Sequence, residues 1–133
     1  MRASGIILHI TSLPSPHGVG TLGAEAREFA DFLRKAGQKY WQILPLGPTG
    51  YGDSPYQTDS AFAGNPYLID LEQLIDDGLL TREEVDAVSF GSDPARTDYG
   101  ALYAGRAGLL RRACERGWER ERGNIETFYR ENE

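Results

Sequence analysis

The sequence holds a single cysteine, Cys114, so no internal disulfide can form, a pattern that suits a reducing cytoplasm. It also lacks any excess of positive charge. Twenty acidic against 14 basic side chains give a formal charge of −6, and a nucleic-acid partner would call for a basic face. No long apolar run is present. Gly5 to Ile10, the most hydrophobic stretch, is too short for a signal peptide or a membrane span, and Met1 to Ser4 ahead of it carry one arginine. No repeat or low-complexity tract is visible. There are two histidines, and no His/Cys/Asp/Glu set has metal-ligand spacing, so no metal or other cofactor is implied. What remains is 133 residues, 40 % hydrophobic, enough for one modest globular domain.

Read in order, Gly5 to Ile10 predicts a buried strand with His9 inside it as a core histidine. Thr11 to Gly23 is a loop, with His17 facing solvent. Ala24 to Ala36 is the clearest helix, its apolar face made by Ala26, Phe29, Ala30, Leu33 and Ala36. Glu25 and Glu28 in its early turns and Arg34 and Lys35 in its last complement the dipole, and Gly37 supplies a left-handed stop. Tyr40 to Leu46 predicts a second buried strand, closed by Pro45 and the Gly47-Pro48 pair. Strand, loop, helix, strand is the pattern of two parallel strands joined by a crossover. Beyond it, Tyr67 to Leu71 predicts a short extended piece and Leu71 to Asp77 a helical turn or two ended at Gly78. Thr81 with Glu84 makes a capping box. Asp98 caps a helix to about Trp118, with Leu102, Tyr103, Leu109, Leu110, Ala113 and Cys114 on its apolar side. Glu119 to Glu133 then predicts a last amphipathic helix or a solvated tail.

The most informative stretch is the loop after Leu46. It carries Gly47, Gly50, Gly52 and Gly64 and prolines at 48, 55 and 66, which turn and stiffen a backbone. It also carries Tyr51, Tyr56, Phe62 and Tyr67, whereas a disordered linker would be polar and poor in aromatics. Stiff backbone bearing rings after a strand suggests a binding surface. The other reading is that the rings pin the loop to the core.

Leu-Pro-Leu-Gly-Pro-Thr-Gly-Tyr-Gly-Asp-Ser-Pro-Tyr-Gln (44–57), followed by Ser-Ala-Phe-Ala-Gly-Asn-Pro-Tyr-Leu-Ile-Asp-Leu (60–71), resembles the start of the 4-alpha-glucanotransferases (amylomaltases, or disproportionating enzymes; glycoside hydrolase family 77). The opening Gly-Ile-Ile-Leu-His-Ile-Thr-Ser-Leu-Pro-Ser-Pro-His-Gly-Val-Gly-Thr-Leu-Gly (5–23) is similar to that family too. The match is dense over about the first three fifths of the chain. The resemblance implies an α/β chain that is the incomplete N-terminal part of a (β/α)8 TIM barrel, with a helical insertion after the second strand. Residues 1–70 would be the first two β/α units and the substrate loop, and 71–133 the helical insertion. A barrel needs eight strands and typically ~250 residues, so two strands would leave raw edges.

The implied parent moves a segment of a 1,4-alpha-glucan to another glucan or to glucose by a retaining double displacement. Such transfer needs two carboxylates ~5 Å apart, and in the family these come from later barrel strands. The acids on offer here have plainer readings: Asp53 in a Gly-Asp-Ser-Pro turn, Asp59 as a loop-surface charge and Asp70 as a helix cap. No catalytic residue is therefore expected in this chain, and alone it should be inactive. What the resemblance gives it is substrate binding. Tyr56 would line the cleft beside the scissile bond, with the Ser54 hydroxyl nearby. Tyr51 would belong to a second glucan site outside that cleft, with Tyr103 its partner across the glucan. Tyr103 also falls on the apolar side of its helix, where packing explains it as well. The expected partners are alpha-1,4-glucans, maltooligosaccharides and glucose, with no nucleic acid and no membrane. Two other readings stay open: a non-catalytic glucan-binding module, and a piece of a retaining hydrolase of the alpha-amylase type.

Overall fold

A computed structural model describes residues 2–58, 60, 62–93 and 95–132. Asp59, read above as a surface charge, lies outside the described residues. Two short strands, β1 (Gly5–Ile7) and β2 (Tyr40–Gln42), pair in parallel with Ile6 opposite Trp41. Helix α1 (Ala24–Lys35) connects them. Both strands are shorter than predicted, and neither is buried. Ile7 and Tyr40 are each 67 % exposed. A continuous apolar strand is buried only where neighbours flank it and helices cover both faces, and here two strands share one helix. Trp41 is the anchor of this layer. Its Nε1 donates to the carbonyl of Leu8 at 2.8 Å, and its ring meets Phe29 of α1 edge-on at 4.9 Å.

Helix α1 has the polarity read from its sequence, with Glu25 in the first turn and Arg34 and Lys35 in the last. Gly37 sits at φ +72 just past its end, a conformation that L side chains disfavour. Ala26 and Leu33 are buried, and Phe29 packs beside the first core of Ile10, Leu13, Ala26 and Leu68. Ala30 and Ala36 are exposed, because the thin sheet covers one stripe of the helix and not its whole apolar arc. Tyr67 is not in an extended piece: Pro66–Leu68 form a 3₁₀ turn, capped by the Asn65 side chain, which accepts from the Tyr67 amide at 2.9 Å.

His17 also differs from expectation. It is 6 % exposed, its Nε2 lies 2.7 Å from Glu72 Oε1, and its ring meets Phe90 edge-on. Glu72 in turn takes both arms of the Arg82 guanidinium. These partners lie far along the chain, so no local pattern foretells the burial.

A second core of Leu71, Leu80, Val85, Leu109 and Ala113 joins α2 (Leu71–Asp76), α3 (Arg82–Asp86) and α4 (Tyr99–Glu131). Asp70 caps α2 by accepting from Gln73, Thr81 and Glu84 form the reciprocal box at α3, and Asp98 caps α4 through Ala101. Helix α4 is one element of 33 residues, about 50 Å long at 1.5 Å per residue, where the sequence suggested a break near Trp118. No proline interrupts it, and Arg122 pairs with Glu119 and Glu126 one turn to either side, so the charged stretch continues as solvated helix. Its buried stripe is Leu102, Arg106, Leu109, Ala113 and Gly117. Tyr103 and Cys114, placed on the apolar side by sequence, point away from it, Tyr103 being 79 % exposed. Gly105 allows the close approach of α3's end: a β-carbon there would sit 2.3 Å from Val88 Cγ1. No helix among the described residues is long and apolar enough to cross a membrane.

Glu84 ties α3 to α4. Its carboxylate accepts two bonds from Arg116, at 2.7 and 2.8 Å, one from Arg112 at 3.1 Å and one from the Thr81 amide. The Arg116 bonds first, then the Thr81 amide, pull its pKa from an ordinary 4.5 down to about 2. A carboxyl whose folded pKa is depressed stabilises the fold above its unfolded pKa, and that contribution fades as pH falls through 4.5 towards 2. Glu84→Gln is therefore expected to lower the urea midpoint at neutral pH and to flatten its decline on acidification over that window. A parallel decline in both proteins would contradict the assignment.

Candidate functional site

The loop from Gly47 to Asn65 is held by its own backbone. The Gly50 amide donates to Gln57, the Asp53 amide to Gly50, and the Asn65 amide to Leu46, so the loop's ends meet. Gly52 (φ +96) and Asp53 (φ +53) occupy left-handed conformations at its tip, which glycine takes freely and aspartate tolerates. Thr49 donates to Asp53 Oδ1 at 3.4 Å. The tip therefore holds Tyr51 out into solvent, fully exposed. Neither Tyr51 nor Tyr56, which is 70 % exposed, pins the loop to a core of the described residues.

Facing this tip is the start of α4. Between them runs an open cleft of about 750 Å³ lined by Thr49 to Asp53, Tyr67, Tyr99, Gly100 and Tyr103. Tyr51 and Tyr103, far apart in sequence, line the same cleft. Tyr67 and Tyr99 line it too, with ring centroids 6.0 Å apart and planes tilted by 52°. Burial, then the nearby Asp53 charge, pushes both phenols above their ordinary pKa, so both stay protonated and able to donate at neutral pH. Tyr67 and Tyr99 were not singled out as site residues from sequence. The available signal was Tyr99 and Tyr103 one helical turn apart, which puts both rings on one side of α4.

Ser54 and Tyr56 do not line this cleft. They form the next bend of the loop, where Ser54 Oγ accepts from the Tyr56 amide at 3.4 Å. Asp70 is taken up structurally: Oδ1 accepts from the Gln73 amide and Oδ2 from the Thr21 hydroxyl at 2.7 Å. Among the described residues, Asp53 is the only carboxylate that lines the cleft. Bond cleavage with retention needs two, facing each other, so the cleft has the chemistry of binding. Among the described residues no group of three His, Cys, Asp or Glu could hold a metal ion.

A parallel strand pair bridged by a helix, leading into a stiff loop whose Tyr51 shares an open cleft with Tyr67, Tyr99 and Tyr103, defines an α/β chain with an aromatic-lined groove. The family model described as 4-alpha-glucanotransferase matches residues 8–133, and the chain belongs to that family. It is 58 % identical over 112 residues to the 4-alpha-glucanotransferase of Thermus thermophilus, a match covering 84 % of this chain and 21 % of the relative. It is 51 % identical over 118 residues to that of Streptococcus pneumoniae serotype 4, covering 89 % and 23 %. Its fold matches the amylomaltase from Streptococcus agalactiae in complex with acarbose with a TM-score of 0.94 at 44 % identity, covering 99 % of this chain and 27 % of that one. The chain thus spans about a quarter of the length of these relatives and matches part of a larger enzyme.

Proposed function

We propose that this chain is the N-terminal part of a 4-alpha-glucanotransferase and supplies one wall of its glucan-binding surface. In this reading residues 1–70 are the first two β/α units and substrate loop of a (β/α)8 barrel, and 71–133 are the helical insertion. The parent transfers a segment of a 1,4-alpha-glucan to the 4-position of glucose or another glucan. One carboxylate attacks the anomeric carbon and a second protonates the departing oxygen, then deprotonates the incoming hydroxyl. Both acids lie outside this chain. Tyr51 and Tyr103 clasp the flat C–H faces of glucose units at a second site, and Tyr56 with Ser54 lines the groove beside the scissile bond.

The observation that carries this reading is the shared cleft of Tyr51 and Tyr103, which sequence alone could pair only by resemblance. That the matching S. agalactiae amylomaltase is in complex with acarbose favours a sugar ligand for the parent enzyme. The direct test is to incubate the full-length protein with maltotriose. The expected products are glucose and longer maltooligosaccharides, without nucleotide sugar. Maltotriose left intact would overturn the transferase, and maltotriose bound but unchanged would favour a glucan-binding module.

A further inference from the structure

Arg106 heads the largest fully buried side chains of the described residues, at 1 % exposure, in the stripe of α4 where leucine and alanine otherwise pack. One nitrogen, Nη2, donates to the carbonyls of Ile69 and of Tyr67, the latter at 3.2 Å. Nε and Nη1 are buried and make no hydrogen bond to the described residues. Burial pushes its pKa down to about 10, with Asp70 partly opposing. As a stabilising device this is poor. A buried cation with idle donors keeps much of its desolvation cost.

What the guanidinium does, and an apolar chain cannot, is fix geometry. It gathers two carbonyls of the 66–69 segment onto α4. Neither carbonyl accepts from a backbone N–H of the described residues outside its own turn. Tyr67 of that segment lines the cleft beside Tyr99, and Tyr99 and Tyr103 lie two turns and one turn before Arg106 on α4. A smaller cavity of about 270 Å³, lined by Thr49, Tyr67, Tyr103 and Arg106, lies alongside the clamp and shares three residues with the cleft. We infer that Arg106 is a positioning residue that sets the separation and tilt of the cleft's tyrosine walls, and so the fit of a glucan between them. This rests on the reading of the cleft as a glucan site.

The test uses the full-length protein, with maltoheptaose affinity by calorimetry and thermal midpoints for the parent, Arg106→Met, Arg106→Lys, Tyr103→Ala and the Arg106→Met/Tyr103→Ala pair. Arg106→Met is expected to fold, to melt somewhat below the parent because two carbonyls lose their donor, and, well below its midpoint, to bind about five- to tenfold more weakly, the worth of a displaced ring contact. Tyr103→Ala should then weaken binding far less in the Met background than in the parent, because the two act through one wall. Arg106→Lys, which keeps a cationic donor near the same carbonyls, should recover part of the affinity. Parent-like binding by Arg106→Met, additive losses, a Lys variant no better than Met, or an Arg106→Met protein that does not fold would each overturn the inference. A parent that binds no maltoheptaose would instead overturn the glucan reading of the cleft.

Discussion

Tyr56→Ala in the full-length protein is expected to slow maltotriose disproportionation by at least about tenfold, given ~1.5–3 kcal/mol for a lost ring contact. The Tyr56 side chain does little to hold the fold of this chain. Its ring is 70 % exposed, and the local hydrogen bond, from its amide to Ser54 Oγ, is made by the backbone. Alanine keeps that bond and leaves the loop closed by Asn65 and Leu46. The thermal midpoint should therefore hold while kcat/KM falls. A fall in both together would return Tyr56 to a structural role, and an unchanged rate would remove it from the substrate groove.

Leu71→Ala is expected to have the largest effect on stability. Leu71 is 0 % exposed and belongs to the second core with Leu80, Val85, Leu109 and Ala113. It follows directly on Asp70, which caps α2 and accepts from Thr21, so the site has little freedom to collapse. Truncating a buried leucine typically costs about 2–5 kcal/mol, a large share of a total of roughly 5–15 kcal/mol. A lowered urea midpoint at unchanged slope is the expected reading. Because α4 carries both this core and the tyrosines, glucan affinity should fall with it near the midpoint and recover well below it. A loss under about 1 kcal/mol would mean the core repacks, against the packing described here.

The elements that could be read from sequence were those whose causes are local. The Thr81–Glu84 box, the caps at Asp70 and Asp98 and the stop at Gly37 all depend on neighbours within a turn. The errors arose where a distant partner decides. His17 is buried because Glu72 and Phe90 reach it. Arg106 interrupts an apolar stripe because two carbonyls near Tyr67 await it. Tyr103 looked like a packing residue because a helical wheel cannot tell which flank of a broad apolar arc meets the core. The strands looked buried because their composition suits a larger sheet than two strands make. The candidate site is half legible: stiff backbone with rings, Tyr67 among them, points to the loop, but the wall on α4 is reached only through resemblance, and Tyr99 carries no signal of its own beyond its spacing from Tyr103.

The central claim is that the cleft between the loop tip and α4 holds a glucan. The most direct measurement is the structure of the full-length protein with maltoheptaose bound. The account predicts a glucan chain passing between Tyr51 and Tyr103, with glucose faces against those rings. Sugar bound elsewhere while these two rings touch none of it would contradict the claim.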